Sequence, residues 1–231
     1  MILSAHQPAY LPWIGYFDKI ARADVFVYLD TVQFEKNSFI NRNQIKTPQG
    51  AQWLTIPVKT KGHTSATLRT TEIDESQPWR ARHLKSIQMN YRRAPRFAEC
   101  FPKIEELLAI PESNLAKYCF HHLSFWLKEF DIATRVVRSS ELLISSTKSD
   151  LVLDLCRHFG AKRYLSGVQG RDYLDEAHFS ETGIAVEYQS FVSPVYFQLW
   201  GEFIPNLGIL DWWMNAEGSL PIAAGANDDD P

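Results

Sequence analysis

The opening of the chain constrains its fold most. Residues 1–5 (Met-Ile-Leu-Ser-Ala) form a short apolar run that ends at His6-Gln7-Pro8, as a buried strand stopped by a proline does. Pro12 then opens a helix, because its fixed φ suits a first turn, and Trp13, Phe17, Ile20 and Ala21 follow at helical spacing. Residues 24–29 (Asp-Val-Phe-Val-Tyr-Leu) are rich in β-branched and aromatic side chains and read as the next strand. A strand, a short helix and a strand in so little chain make a βαβ unit, which implies a parallel sheet covered on both faces.

The second half returns to this alternation. A strand is predicted over 134–138, then a helix over 149–159 with Gly160 at its left-handed cap. A strand over 163–165 ends in Ser166-Gly167, and a helix over 172–179 and a strand over 185–191 follow. Between the halves, the Thr47-Pro48-Gln49-Gly50 turn separates extended runs at 38–45 and 51–59, and 67–73 reads as a further strand. Helices are predicted over 79–92, 96–109 and 115–130, with Pro102 placed to kink or split the second. The fold class is therefore α/β, a Rossmann-like parallel sheet with a β-rich insertion (34–74) and a helical segment (79–130). At roughly 150 residues per domain, one domain over 1–218 with a frayed tail over 219–231 fits the length.

Composition narrows the function classes. With 45% apolar and 22% charged residues the chain has material for a core and is not largely disordered. A net charge of -3 sets aside a protein that clamps long nucleic acid by charge. No apolar run approaches the roughly 18 residues of a membrane span, and the N-terminus lacks the basic region of a signal peptide. Cys100, Cys119 and Cys156 are an odd number without CxxC spacing, which favours a reducing compartment over disulfides or a zinc knuckle. The expectation is a soluble, cytoplasmic protein.

His6 stands where the first strand ends, and in open α/β sheets the ligand crevice lies outside the carboxyl ends of the strands. A histidine there serves as general acid or base or donates to an oxyanion; alternatively it only fixes the loop. Tyr10 and Trp13, in the proline-bounded loop before a helix N-terminus, are candidates to wall a flat ring or sugar face, with plain core packing the commoner role for Trp13. Asp30 and Gln33 follow the second strand and share the sheet edge with His6. Alternation points Asn41, Asn43 and Ile45 one way and Arg42, Gln44 and Lys46 the other; Asn41, Arg42 and Lys46 are candidates to hold an anionic or carbonyl group, against the plainer role of a solvated sheet face. Ser166 and Gly167, between a strand and a helix, let backbone approach a phosphate or carbonyl.

Other features carry less. Arg80, Arg82, Lys85, Arg92 and Arg93 make one helix basic, which suits a phosphorylated substrate or an acidic carrier domain but is more simply a solvated face. His121 and His122 are adjacent and point about 100° apart on a helix, so no metal site is assigned. The aromatic run Tyr196, Phe197, Trp200 and Phe203 is assigned to packing or an interface.

The string from His6 to Ile20 (His-Gln-Pro-Ala-Tyr-Leu-Pro-Trp-Ile-Gly-Tyr-Phe-Asp-Lys-Ile) resembles the opening of the WbqC-like protein family. The resemblance continues through Ala23-Asp24, Leu29-Asp30, Gln33-Phe34, Asn41-Arg42, the run 53–58, Tyr164-Leu165-Ser166-Gly167, Tyr173-Leu174 and the run 194–198. It implies a role in bacterial surface-polysaccharide biosynthesis, including O-antigen, where amino sugars are decorated. Gln7, Lys19 and Tyr173 lie in the matching segments and join the substrate-binding candidates. The chain departs from the family at Gly208, where a serine is expected. The expected activity, in surface-carbohydrate or small-metabolite biosynthesis, is acyl or aminoacyl transfer to an amine, with His6 and Asp30 catalytic, a small molecule such as a nucleotide sugar as substrate, an acyl-carrier or thioester donor, and no required cofactor. A weaker resemblance, to pantoate-activating ligases and other HIGH-type nucleotidylyl transferases, implies Mg2+ and an NTP instead; only His6 maps, and Tyr16 stands near the second histidine's place. The third reading is a non-catalytic ligand- or carrier-binding module.

Overall fold

The computed structural model describes residues 1–59 and 67–222. Five strands, β1 (Ile2–His6), β2 (Val25–Tyr28), β5 (Arg135–Arg138), β6 (Arg163–Ser166) and β7 (Ala185–Tyr188), make one sheet in the order β5-β2-β1-β6-β7. Every pairing in it is parallel. The first crossover is α1 (Ile14–Ala21), the one before β6 is α5 (Lys148–Phe159) and the one before β7 is α6 (Glu176–Glu181).

Side chains alternate across the sheet as the pleat requires. Leu3, Ala5, Val25 and Val27 face α5 and pack on Leu151, Val152, Leu155 and Cys156. Phe26 and Tyr28 face the other way, into a larger core with Tyr16, Phe17 and Ile20 of α1. That core also holds α2 (Trp79–Tyr91), α3 (Phe97–Leu108), α4 (Leu115–Glu129) and α7 (Ile209–Asn215). The Tyr28 hydroxyl donates to the Ala116 carbonyl at 2.7 Å and so ties the sheet to α4. Both strand faces are buried, which is why β1 and β2 read as continuous apolar runs rather than as an alternation.

The insertion is an antiparallel hairpin of β3 (Arg42–Thr47) and β4 (Gly50–Thr55). The first strand starts later than its predicted start at 38 because Asn37 takes a left-handed φ of 63° and the Ser38 hydroxyl donates back to the Glu35 carbonyl. The strand predicted over 67–73 is a 3-10 turn, Leu68–Thr70, flanked by isolated bridges; the hydroxyls of Thr70 and Thr71 both donate to the Thr67 carbonyl and curl the chain. The helix predicted over 172–179 is a 3-10 turn, Val168–Asp172, followed by α6, which Asp175 caps by accepting from the His178 N–H. Pro102 neither splits nor ends α3, and its ring lies on the solvent side. Leu220 is buried in the core and Ile222 packs against it; the rest of the tail expected to fray, residues 223–231, lies outside the described residues. The three cysteines are buried and free. No helix of the described residues is long and apolar enough to cross a membrane.

Candidate active site

The chain leaves β1 towards β2 on one side and later enters β6 on the other. This divergence makes a topological switch point between β1 and β6, where α/β sheets place their ligands. Four predicted site residues meet there: His6 at the end of β1, Ser166 and Gly167 at the end of β6, and Lys19 on α1. The β1–β6 register runs to Ser4 opposite Leu165, so the next step sets Ser166 beside Ala5.

His6 is half-buried and sits edge-on to Tyr16 (centroids 5.0 Å apart) and Trp13 (6.0 Å). Its Nδ1 lies 2.9 Å from the Gln7 carbonyl. A carbonyl only accepts, so Nδ1 carries the proton and Nε2 presents a lone pair. Burial, and then the neighbouring Lys19 ammonium, push the His6 pKa down to about 3, so the ring is neutral at neutral pH.

Lys19 is 3% exposed, and its Nζ donates to the Ala5 carbonyl at 3.1 Å. Helical side chains lean towards the N-terminus, which swings Lys19 back over the end of β1. Burial lowers its pKa to about 7, so roughly half the population is charged at neutral pH. A Cβ built on Gly167 would stand 3.9 Å from this nitrogen, which places the amine directly under the β6 turn. At the next glycine, Gly170, a Cβ would collide with the Ser166 hydroxyl, so a larger residue there would turn that hydroxyl out of its place.

The helix that carries Lys19 is braced by groups the sequence reading does not single out. The Gln189 side-chain amide donates to the Gly15 carbonyl (2.8 Å) and to Asp18 (2.7 Å), while Arg22 pairs with Glu187 at 2.5 Å. A Cβ on Gly15 would meet the Phe191 ring at 2.7 Å, so the segment after β7 lies flat on the start of α1. No short motif announces these contacts, since they join positions far apart in the chain.

The remaining candidates, apart from Gln7 beside His6, make other contacts. Asp30 accepts from the Ser139 hydroxyl (2.9 Å), the Ser140 N–H (2.8 Å) and the Ser140 hydroxyl (2.6 Å), which binds the end of β2 to the turn after β5. Gln33 is exposed and bridges Thr67. The Tyr10 hydroxyl donates to His83 Nδ1 at 2.9 Å, because His83 Nε2–H is directed at the Thr55 carbonyl, and both rings are in the core. The Asn41 amide donates to the Ile56 carbonyl. Arg42 and Lys46 do not share an anion cradle. Lys46 is sealed at the far end of β3, where its Nζ donates to Gln198 (3.0 Å) and to the Glu202 carbonyl. Tyr173 is exposed beyond the β6 turn and meets Tyr164. Gln7, by its carbonyl, holds His6 and accepts from the Tyr16 hydroxyl at 3.4 Å.

The departure at Gly208 is away from the switch point. A Cβ there would stand 3.0 Å from the Leu11 carbonyl and 3.1 Å from the Gln44 carbonyl, in a tight crossing of loop and hairpin. The basic residues of α2 lie on its solvated side, except Arg80, whose Nε donates to the Leu108 carbonyl. Of the aromatic run, Tyr196 donates to Asp211 and Trp200 to the Asn90 carbonyl, so both are packing anchors. Among the described residues no group of three His, Cys, Asp or Glu side chains is placed to hold a metal ion.

The class is thus an α/β protein with a doubly wound parallel sheet and a histidine–lysine pair at its switch point. The chain belongs to the WbqC-like protein family, which it matches over residues 7–219. It is 36% identical over 219 residues, 93% of this chain and 94% of the other, to the uncharacterized protein Rv1507c of Mycobacterium tuberculosis (strain ATCC 25618 / H37Rv). No solved structure matches it.

Proposed function

We propose that the chain is a group transferase that moves an acyl or aminoacyl group from a thioester onto an amine, the acceptor being a small molecule such as a nucleotide-linked amino sugar of surface-polysaccharide or O-antigen biosynthesis. One observation carries the reading: a neutral imidazole whose Nε2 lone pair is available stands beside a buried amine at the switch point. The acceptor amine attacks the thioester carbonyl, forming the C–N bond. Its proton passes to His6 Nε2 and on to the departing thiolate as the C–S bond breaks. The Lys19 ammonium and backbone N–H groups of the Gly167 turn stabilise the transient oxyanion. Asp30 keeps a positioning role through the 139–140 turn.

The competing reading is nucleotidyl transfer, favoured by a cationic amine where α/β sheets hold phosphates. The test screens acyl thioesters with amine acceptors, and NTPs with Mg2+, by product formation and thermal shift. Loss of His6 as proton acceptor is expected to reduce transfer by about 10²–10⁴-fold in His6→Ala. Turnover of an NTP and none of a thioester overturns the reading. Saturable binding of a thioester and an amine acceptor that both emerge unchanged, with no product from any pair, makes the chain a binding module instead.

A further inference from the structure

The outer face of the β3–β4 hairpin is a second concentration of aromatic and cationic side chains. The register sets Arg42 opposite Thr55 and Gln44 opposite Trp53, so these four share one face. The other face, with Asn43, Ile45 and Leu54, is buried in the core. At the Arg42 end the outer face is open: Trp53 is 39% and Phe39 45% exposed, and their centroids are 5.7 Å apart. Phe39 is 5.8 Å from Trp13, which in turn is 6.0 Å from His6. Rings therefore step from the hairpin surface to the switch point.

Arg42 gives this platform its charge. Its guanidinium lies 4.2 Å from the Trp53 centroid, and one terminal nitrogen donates to the Asn37 carbonyl at 2.5 Å. Its Nε is shielded from solvent and has no hydrogen-bond partner among the described residues. An anion therefore meets this guanidinium at its terminal nitrogens, through a charge-assisted hydrogen bond, rather than at the enclosed Nε. Arg42 also walls a cavity of about 160 Å³ together with Lys36, Asn37 and Thr55, and neither cation is paired with a carboxylate among the described residues. A small cavity with two cations opens beside two exposed rings.

We infer that this face is a binding subsite for a ring that carries an anionic group, a sugar phosphate or a nucleoside phosphate. The ring packs against the exposed part of Trp53 that Arg42 leaves uncovered, with Phe39 tilted at 47° beside it, and the phosphate enters the cavity between Arg42 and Lys36. The subsite does not depend on the transfer chemistry, because binding here needs no proton acceptor.

The test titrates the full chain with glucose 1-phosphate, UMP and inorganic phosphate, by calorimetry and saturation-transfer NMR. Saturable binding of a ring phosphate, tighter than inorganic phosphate, is expected. Stacking on one ring is worth about 1–3 kcal/mol, so Trp53→Ala should weaken it about tenfold or more, and Trp53→Phe should recover most of it. Arg42→Ala should remove the preference for phosphate, whereas His6→Ala should bind as the wild type does even where turnover is lost. Preference for glucose 1-phosphate assigns the sugar class, and preference for UMP the nucleoside class. Equal binding of inorganic phosphate, no binding of either ring phosphate, or binding that survives both Trp53→Ala and Arg42→Ala in variants with wild-type circular dichroism overturns the inference.

Discussion

The Nζ of Lys19 donates to the Ala5 carbonyl at 3.1 Å, one residue short of His6. That contact brings a buried amine from the far end of α1 to the mouth of the sheet, where it lowers the His6 pKa. At the start of the same helix, Phe191 and Trp13 pack closely against Gly15. A side-chain cation thus stands at a crevice where many α/β proteins also present backbone N–H groups.

Lys19 imposes a pH dependence on stability. Its pKa is about 7 when folded and 10.5 when exposed, so between these values the unfolded chain binds a proton that the folded chain does not. Stability therefore rises with pH above 7, by up to about 1.4 kcal/mol per unit from this group. Lys19→Met lacks the term. The difference in urea-unfolding free energy, wild type minus variant, is expected to climb from pH 7 to 8.5. A flat difference would mean that Lys19 titrates as an exposed lysine.

Asp30→Ala is expected to act on stability before chemistry. It leaves two hydroxyls and the Ser140 N–H without their acceptor, and a buried unsatisfied donor costs about 1–3 kcal/mol. The denaturation midpoint should fall, while ligand affinity at the switch point holds at temperatures where the variant is folded. An unchanged midpoint with turnover abolished would place Asp30 in the reaction.

How far the sequence disclosed this protein depended on the range of the interactions involved. β1, α1 and β2 were legible because apolar runs, a proline and helical spacing are local signals, and His6 could be placed at the strand end from them alone. Helices α2, α3 and α4 were legible for the same reason. α7 was not: all seven of its residues are buried, so it shows no amphipathic period. Lys46 misled because strand alternation says which face a residue takes but not that residues 198–202 will fold over that face. Trp53 and Lys36 went unnoticed as site residues because their contacts with Arg42 follow from hairpin register and the loop at 37.

Acid should destabilise the fold from about pH 6.5 downward. Burial holds His122 at about 3 and His83 at about 4, and His122 lies wholly inside, its ring 4.4 Å from that of Tyr118. Below 6.5 the unfolded chain takes protons that these rings refuse, so stability is lost as pH falls and levels off only near their folded values. The slope should approach about 1.4 kcal/mol per unit for each histidine inside the window. In His122→Asn, melting temperature should depend less on pH between 6.5 and 4.5. An equal slope in that variant would show that His122 protonates freely.

The hairpin is fastened to α7 by a buried polar network, and Tyr91 is its hub. The Tyr91 hydroxyl accepts from the Lys46 backbone N–H at 2.9 Å and donates to Asp211 at 2.8 Å, while Tyr196 donates to the other carboxylate oxygen at 2.9 Å. Burial raises the Asp211 pKa, and the two tyrosine donors oppose that rise. Tyr91→Phe removes one donor and strands the Lys46 N–H, so it should cost about 2–4 kcal/mol at neutral pH. The folded carboxyl then binds its proton at a higher pH than the unfolded one, so this cost should shrink as the pH falls through the raised pKa. Asp211→Asn in the same chain removes the buried charge and should recover part of the loss, giving a coupling energy in a double-mutant cycle. Additive losses at every pH would mean that Tyr91 and Asp211 act separately.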